Sequence, residues 1–209
     1  MRVKTSRDAK AQETRRALVA QARELFSSHA YADVSLDQLV QRTKVTKGAL
    51  YHHFENKQEV YRAVVEAMEQ ELVDRLEQAA QKVKAPAGKL RNFCRAYLDA
   101  ALDNRMARVL VIEAPVVLGW KTWCDISQSY EVAAFSRRIS ELNSEGNANP
   151  QVAETFAQVL LGALNTGARV ISTADDPASA RVQVEDTIDR LLVGFGLSAT
   201  AKRSASRAR

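Results

Sequence analysis

The sequence predicts an all-α protein. Its 209 residues include only eight glycines and four prolines, which are too few for the turns of a sandwich or barrel. Hydrophobic residues make up 46% and charged residues 26%, as in an ordinary globular chain. Apolar residues recur at intervals of three and four along most of the chain, which is the spacing of amphipathic helices. The length allows one large domain or two small ones.

The first two helices are predicted from periodicity and a cap. Apolar positions on one face run from about residue 9 to residue 28. Ser35 is followed three residues later by Gln38, which is a capping-box pattern at a helix start. The helix that it opens has about eight residues and ends near Thr43.

A third, shorter helix is predicted immediately afterwards. Residues 44–45 form a tight turn, and Thr46 can cap a helix over residues 47–53. This helix turns Leu50 and Phe54 inward. Two short helices joined by a tight turn predict a helix-turn-helix.

A long helix and a more broken region follow. Asn56 and Glu59 repeat the capping pattern and open a helix that should stop around residues 85–88. Beyond it, the apolar spacing predicts helices over residues 90–102 and 106–112, an interruption at Pro115, an apolar connection at 116–120, a helix reaching about residue 142, and a loop at 144–149.

Two final helices are predicted to begin at Asn149-Pro150 and at Asp176-Pro177, where a capping residue precedes a proline in the first helical position. The first contains Gly162 and Gly167, although a glycine inside a helix costs about 1 kcal/mol relative to alanine. Close approach of another helix is the expected reason for both glycines.

Charge is concentrated at the two ends of the chain. Residues 1–60 carry eleven basic and seven acidic side chains, residues 198–209 carry four basic and no acidic ones, and the middle is mildly acidic. Basic ends suggest a polyanionic partner. For the tail alone, a disordered solubilising segment is the preferred interpretation.

Cysteine content and hydropathy restrict the class of protein further. Cys94 and Cys124 are the only cysteines, so neither a disulfide framework nor a zinc site is indicated, and both are expected to be reduced packing residues. No uncharged apolar run approaches the ~18 residues of a membrane span, and no apolar segment follows the N-terminus. A cytoplasmic protein without a membrane partner is expected.

A specific sequence block lies around the third helix. The run Leu50-Tyr51-His52-His53-Phe54 is followed by Lys57, after the blocks at residues 22–26 and 35–40. Together, residues 14–61 resemble the DNA-binding domain of TetR-family regulators. The resemblance implies a three-helix helix-turn-helix domain at residues 1–60 with a basic arm at 1–10, a helical ligand-binding and dimerisation domain at 61–197, and a basic tail at 198–209.

The resemblance also implies a function and a set of DNA contacts. Such a protein represses transcription by binding a palindromic operator as a homodimer, and a small molecule releases it. The implied contacts to base edges and phosphates of double-stranded DNA are Thr14, Ser35, Thr46, Lys47, Gly48, Ala49, Tyr51, His52, His53 and Lys57.

Several of these residues have a second interpretation. His53 could be a packing residue, and Ser35 would be explained as a cap even without DNA. Two departures from the family also stand out, because Ala30 and Lys44 occupy positions where glycine is usual and a left-handed residue is common. Holding a lysine there costs about 1 kcal/mol or more.

The C-terminal region supplies two further candidate sites. A four-helix dimer interface is predicted from the apolar stripes of the last two helices of both chains: Phe156, Leu160, Leu164, Val184, Ile188, Leu191 and Phe195. The resemblance to the TetR family also implies that residues 62–148 enclose the effector, with the candidate lining groups Phe93, Tyr97, Met106, Glu113, Trp120, Trp123 and Tyr130. The alternative for these aromatics is plain core.

Two rival functions are less well supported. No catalytic constellation, metal motif or cofactor motif accompanies the three histidines and two cysteines, which argues against an enzyme. A helical adaptor that has lost DNA binding is opposed by the retained Lys47, Tyr51 and Lys57.

Overall fold

The computed structural model describes residues 6–142 and 150–196, and every regular element within them is helical. The predicted all-α class is confirmed. The loop at 144–149, the first half of the basic arm and the tail at 198–209 lie outside the described residues. In the part that is described, no helix is long and apolar enough to cross a bilayer.

Eleven α-helices are present in the described ranges. They are α1 (Ser6–Ser28), α2 (Leu36–Thr43), α3 (Lys47–His53), α4 (Lys57–Gln81), α5 (Pro86–Ala100), α6 (Asn104–Ala107), α7 (Ala114–Val117), α8 (Trp120–Ser127), α9 (Ala133–Leu142), α10 (Pro150–Thr173) and α11 (Pro177–Gly194). A 3₁₀ turn at Tyr31–Asp33 precedes α2, and π-helical turns at Arg108–Glu113 and Gln128–Val132 join α6 to α7 and α8 to α9.

The caps predicted in the N-terminal region are present. The Ser35 hydroxyl accepts from the Gln38 amide at 3.2 Å, and the Ser35 amide donates to the Gln38 side chain at 2.8 Å. Thr46 accepts from the amide of Ala49 at 3.2 Å. Each cap satisfies a donor that the first turn of a helix leaves unpaired, so these short helices begin at defined residues.

The two positions that depart from the family's glycines behave differently. Lys44 follows α2 in the left-handed region, with φ 55° and ψ 23°, so the tight turn is kept although the residue is not glycine. Ala30 has φ −62° and ψ 149°, an extended conformation that any residue adopts. Only Lys44 therefore carries the conformational cost expected for a side chain at such a turn.

The prediction that Pro115 interrupts the helix was wrong. Pro115 lies in the first turn of α7, directly after the π-helical turn that ends at Glu113. A proline is tolerated in a first turn because its missing N–H would have no helical partner there. The helical path from α6 therefore continues through this residue to Val117.

Helix α4 connects the two halves of the molecule. It packs against α1 on one side and against α5 on the other, and Tyr61 and Leu76 are buried near its two ends. The buried apolar residues form one continuous cluster from Leu18 in α1 to Leu192 in α11. The helix-turn-helix region is thus anchored on the same core as the larger helical body.

The two glycines of α10 have different surroundings. A Cβ atom at Gly167 would lie 2.5 Å from a methyl of Val184 in α11, so this glycine permits close helix packing as predicted. A Cβ atom at Gly162 would meet nothing within 4 Å. Helix packing therefore does not explain Gly162, which lies instead beside a cavity.

Candidate nucleic-acid interface and ligand cavity

One face of helix α3 is buried against the N-terminal region, and the opposite face is exposed to solvent. Leu50 and Phe54 are buried against the rest of the N-terminal region, as predicted. On the opposite face, Gly48 and His52 are exposed and Tyr51 retains 55% of its side-chain exposure. The Tyr51 ring and hydroxyl are therefore accessible to a partner on this face.

The polar groups around α3 are only partly engaged within the chain. The Lys47 ammonium lies 2.7 Å from the carboxylate of Asp37 in α2, and both side chains are largely exposed. His53 is half-buried, and burial together with the electrostatic effects of the neighbouring His52 and Arg15 side chains lowers the pKa of its imidazole. His53 is therefore neutral at physiological pH, whereas Lys47 carries its charge at the surface.

Three other predicted DNA contacts already have partners within the chain. The Lys57 ammonium donates to the carbonyls of Tyr31 and Val34 at 2.8 and 2.9 Å and lies 4.1 Å from the centre of the Tyr31 ring. The Thr14 hydroxyl donates to the Lys10 carbonyl one turn earlier in α1. Ser35 is the α2 cap. The geometry gives each of these residues a structural role.

A ligand-sized cavity lies among α4, α5, α8 and α10. Its inner chamber measures about 20 Å³, which is space for one water-sized group, and its outer chamber measures about 430 Å³. Val111, Trp123 and Asn165 line both chambers, so the two chambers are adjacent. The outer volume lies within the range of small-molecule sites.

Four of the seven predicted pocket residues line this cavity. Tyr97 and Met106 lie on the inner chamber, Trp120 on the outer chamber, and Trp123 on both. Phe93, Glu113 and Tyr130 do not line either chamber.

The three residues outside the cavity have other surroundings. Phe93 is completely buried edge-to-face against Phe135 with ring centres 4.9 Å apart, so it is core. The Glu113 carboxylate instead accepts a hydrogen bond from the backbone amide of Tyr31. Tyr130 is half-buried in the π-helical turn Gln128–Val132.

Sequence reasoning missed two buried acids in the inner chamber. Glu69 and Glu131 are each 2% exposed and line it together with Tyr97 and Asn165. Burial is the main cause that raises the pKa of both carboxyls, and the Glu131 charge raises the pKa of Glu69 further. Glu131 accepts from the Ser127 hydroxyl at 2.8 Å, whereas Oε2 of Glu69 has no hydrogen-bond partner among the described residues.

A signal for Glu69 was present in the sequence. Val65, Glu69, Leu72 and Leu76 are spaced by four, three and four, so the acid interrupts an apolar stripe of α4. No comparable signal marks Glu131, because the π-helical turn that carries it shifts the helical register.

Three hydrogen bonds connect the wall of the cavity to the N-terminal region. The Tyr31 amide donates to the Glu113 carboxylate at 3.2 Å, and the Tyr61 hydroxyl donates to the Val109 carbonyl at 3.0 Å. The Gln58 side chain donates to the Val117 carbonyl. Val109 and Glu113 belong to the π-helical turn that also carries the cavity residue Val111.

The predicted dimer face is only partly exposed. Leu160, Leu164 and Ile188 are buried within the chain, while Leu191 and Phe195 are exposed and Phe156 and Val184 are half-buried. Other exposed apolar side chains on α10 and α11 that the sequence analysis did not name are Val152, Val159, Val170, Val182 and Val193.

The sequence matches two protein-family models. Residues 18–64 match the bacterial regulatory proteins of the tetR family, and residues 87–195 match the tetracyclin repressor-like C-terminal domain. The second match covers more than half of the chain. The chain belongs to the TetR family. It is a DNA-binding transcriptional regulator with an N-terminal helix-turn-helix and a C-terminal helical domain.

Individual relatives agree with this assignment. The TetR-family chain is 29% identical over 151 residues to the Transposon Tn10 TetC protein of Escherichia coli, covering 71% of this chain and 75% of TetC. It is 30% identical over 189 residues to the A-factor receptor protein of Streptomyces griseus, covering 87% of this chain and 63% of the receptor. It therefore spans less than two thirds of that receptor.

A crystal structure has the same architecture. The structure of a TetR-family transcriptional regulator from Pectobacterium atrosepticum matches with a TM-score of 0.75 at 32% identity, covering 91% of this chain and 97% of the other.

Proposed function

We propose that this regulator is a homodimeric repressor that binds an inverted-repeat operator and leaves it when a small molecule enters the cavity. The observation that carries the DNA-binding part is the exposed face of α3, where Tyr51 and Lys47 flank the side-chain-free Gly48. A helix entering a major groove about 12 Å wide needs such a face of small and polar groups. We assign the base and phosphate contacts mainly to this face, with Thr46, Ala49, His52 and His53 beside it.

Dimerisation would bring two copies of α3 to one operator. A single helix-turn-helix contacts few bases, so a twofold dimer on two half-sites increases both affinity and specificity. The exposed apolar groups of α10 and α11 supply a self-complementary surface, and Phe156 and Phe195 already pack edge-to-face with ring centres 4.8 Å apart. We place the interface around this aromatic pair and the adjacent Val152, Val159 and Leu191.

The small molecule would act through the π-helical turn Arg108–Glu113. Val111 of this turn lines the cavity, while Val109 and Glu113 hold Tyr61 and Tyr31 of the N-terminal half. A ligand that binds more tightly to a shifted position of the turn would also shift α4 and the attached helix-turn-helix. The relative named as an A-factor receptor supports a ligand-responsive function.

Footprinting on the DNA upstream of the regulator's own gene tests the proposal. We expect two protected half-sites separated by about one helical turn of DNA. Lys47→Ala and Tyr51→Ala should each weaken binding by about 1–3 kcal/mol. Lys82→Ala, at an exposed position after the far end of α4, is the matched control and should bind normally. Binding that is equally strong in all three variants would contradict the assignment of α3.

The rival functions make different predictions in the same experiment. A helical adaptor would give no salt-dependent footprint on any candidate operator. An enzyme without DNA binding would likewise give no footprint, even though the cavity contains the acids Glu69 and Glu131. As a regulator of chromosomal genes, the protein would act in the cytoplasm.

A further inference from the structure

The inner chamber contains acids without a basic counterpart. Glu69 and Glu131 both line it, and its remaining lining residues, all within the described chain, include no lysine, arginine or histidine. Two buried carboxylates that share one chamber repel each other when both are ionised, and burial removes much of their solvation. The chamber therefore needs either a proton or an external cation to balance them.

Hydrogen bonding leaves one acid with an available acceptor. The Ser127 hydroxyl donates to Glu131, and the Tyr97 hydroxyl lies between two acceptors, the side-chain oxygen of Asn165 at 2.7 Å and the Glu131 carboxylate. Oε2 of Glu69 is fully buried and accepts from no group that the structure describes. A buried acceptor of this kind costs about 1–3 kcal/mol unless it gains a donor. The geometry thus favours a ligand that brings a hydrogen-bond donor to this oxygen.

Size restricts which cation fits. The inner chamber, at about 20 Å³, accommodates one water-sized group, so a primary ammonium fits and a bulky quaternary ammonium does not. The outer chamber is far larger and mostly apolar, with Trp120 and Trp123 side by side at a ring separation of 5.1 Å. Its one basic lining residue, Arg169, is exposed to solvent and therefore well screened.

We propose that this cavity selects a primary amine, whose ammonium lies between Glu69 and Glu131 and whose apolar body fills the outer chamber against the two tryptophans. The inference rests on the proposed function, since it names the chemical class of the small molecule. Ionised acids repel an anionic ligand, and a neutral ligand gains nothing from their ionisation, so an ammonium is the end group that the pair favours. Burial raises the pKa of both acids, so binding of an ammonium competes with protonation of the pair.

Fluorescence of the intact protein offers a direct test. Trp120 and Trp123 are the only tryptophans of the chain and both line the outer chamber, so ligand entry should change the intrinsic emission. Phenylbutylamine, phenylbutanol and phenylbutyrate share one apolar body and differ in the charge of the end group. We expect the amine to bind at least about tenfold more tightly than the alcohol, and the acid to bind least.

Two variants assign the preference to the acids. Glu69→Gln and Glu131→Gln should each lower amine affinity about tenfold or more and leave alcohol affinity within about threefold. Alcohol binding also demonstrates that each variant is folded. Glu66→Gln is the matched control, because Glu66 lies one turn earlier in α4, does not line the cavity and pairs with Arg62. The control should retain the preference for the amine.

Several outcomes would overturn the inference. They are equal binding of amine and alcohol, an amine preference that persists when both acids are replaced, and no emission change with any of the three compounds. The proposed function is measured separately by the footprint. If the amine binds tightly but does not weaken the footprint, the amine site is supported and the effector mechanism is contradicted. If the protein gives the footprint but binds no amine, DNA binding is supported and the amine site is contradicted.

Discussion

Helix α4 carries an ionisable side chain toward each half of the molecule, Lys57 and Glu69, and the two have opposite effects on stability. At its N-terminus, Lys57 faces the helix-turn-helix and donates to two carbonyls. Twelve residues later, about 18 Å along the axis, Glu69 faces the ligand cavity with one oxygen unpartnered among the described groups. The Lys57 ammonium in the DNA-binding half therefore stabilises the fold, and the buried Glu69 carboxyl in the sensor half costs stability.

Removing the Lys57 charge should give the largest effect on folding. Lys57→Met retains the aliphatic stem but loses both hydrogen bonds and the contact with the Tyr31 ring. We expect the free energy of unfolding to fall by about 2–3 kcal/mol, measured by chemical denaturation. Lys82→Met, an exposed lysine just after the same helix, should change it by less than about 0.5 kcal/mol.

The same variant separates the two roles considered for Lys57. If its ammonium contacts a phosphate, the salt dependence of operator binding should decrease by about one unit of slope. Because the ammonium is already bound to two carbonyls, we expect the slope to remain unchanged. If Lys57→Met has normal stability but a reduced salt dependence of operator binding, Lys57 contacts DNA and is not a stabilising residue of the fold.

Replacing the Glu69 carboxyl should change the free energy of unfolding in the opposite direction and by a smaller amount. Glu69→Gln keeps the shape of the side chain and removes the cost of either burying a charge or taking up a proton on folding, so the free energy of unfolding at neutral pH should rise by about 1 kcal/mol. Glu66→Gln, which loses a partly exposed pair with Arg62, should change it by less than about 0.5 kcal/mol. Destabilisation by Glu69→Gln would mean that the acid is a structural element.

The pH dependence of the free energy of unfolding should also show that Glu69 destabilises the fold. The raised pKa of Glu69 means that the folded protein holds more protons than the unfolded chain above the usual pKa of 4.5. The free energy of unfolding should therefore decrease as the pH rises from that value through the raised pKa. Glu131, Tyr97 and Asn165 face the same chamber, and Glu131 contributes a similar slope. In Glu69→Gln the decrease should be clearly smaller than in the unsubstituted protein.

The N-terminal half could be predicted because its determinants are local. The caps at Ser35 and Thr46 and the buried positions Leu50 and Phe54 each depend on residues a few positions apart. The partner of Lys57 could not be predicted in this way, because the carbonyls of Tyr31 and Val34 are more than twenty residues distant. Sequence motifs therefore indicated which residues matter there, but not which atoms they contact.

The cavity was less predictable because separate helices assemble it. Tyr97 and Trp123 were expected from their aromatic character, and both line it. Glu113 was expected inside and lies outside, because the π-helical turn that ends there directs its carboxylate to Tyr31. Glu131 comes from the second π-helical turn. Such turns add a residue per turn, so the 3.6-residue period used to infer faces fails where the sensor is built.

The smallest expected effects compare open glycines in the two halves. A Cβ atom at Gly48 would meet nothing closer than the Thr46 hydroxyl at 4.0 Å, and one at Gly162 would meet nothing within 4 Å. Replacing either glycine by alanine should therefore raise the free energy of unfolding by about 0.5 kcal/mol. Only Gly48→Ala should weaken operator binding, by about fivefold or more, because its methyl group would occupy space that DNA needs. Equal operator binding by Gly48→Ala and Gly162→Ala would show that the glycine face of α3 does not approach the bases, and would remove the clearest functional difference between the two halves.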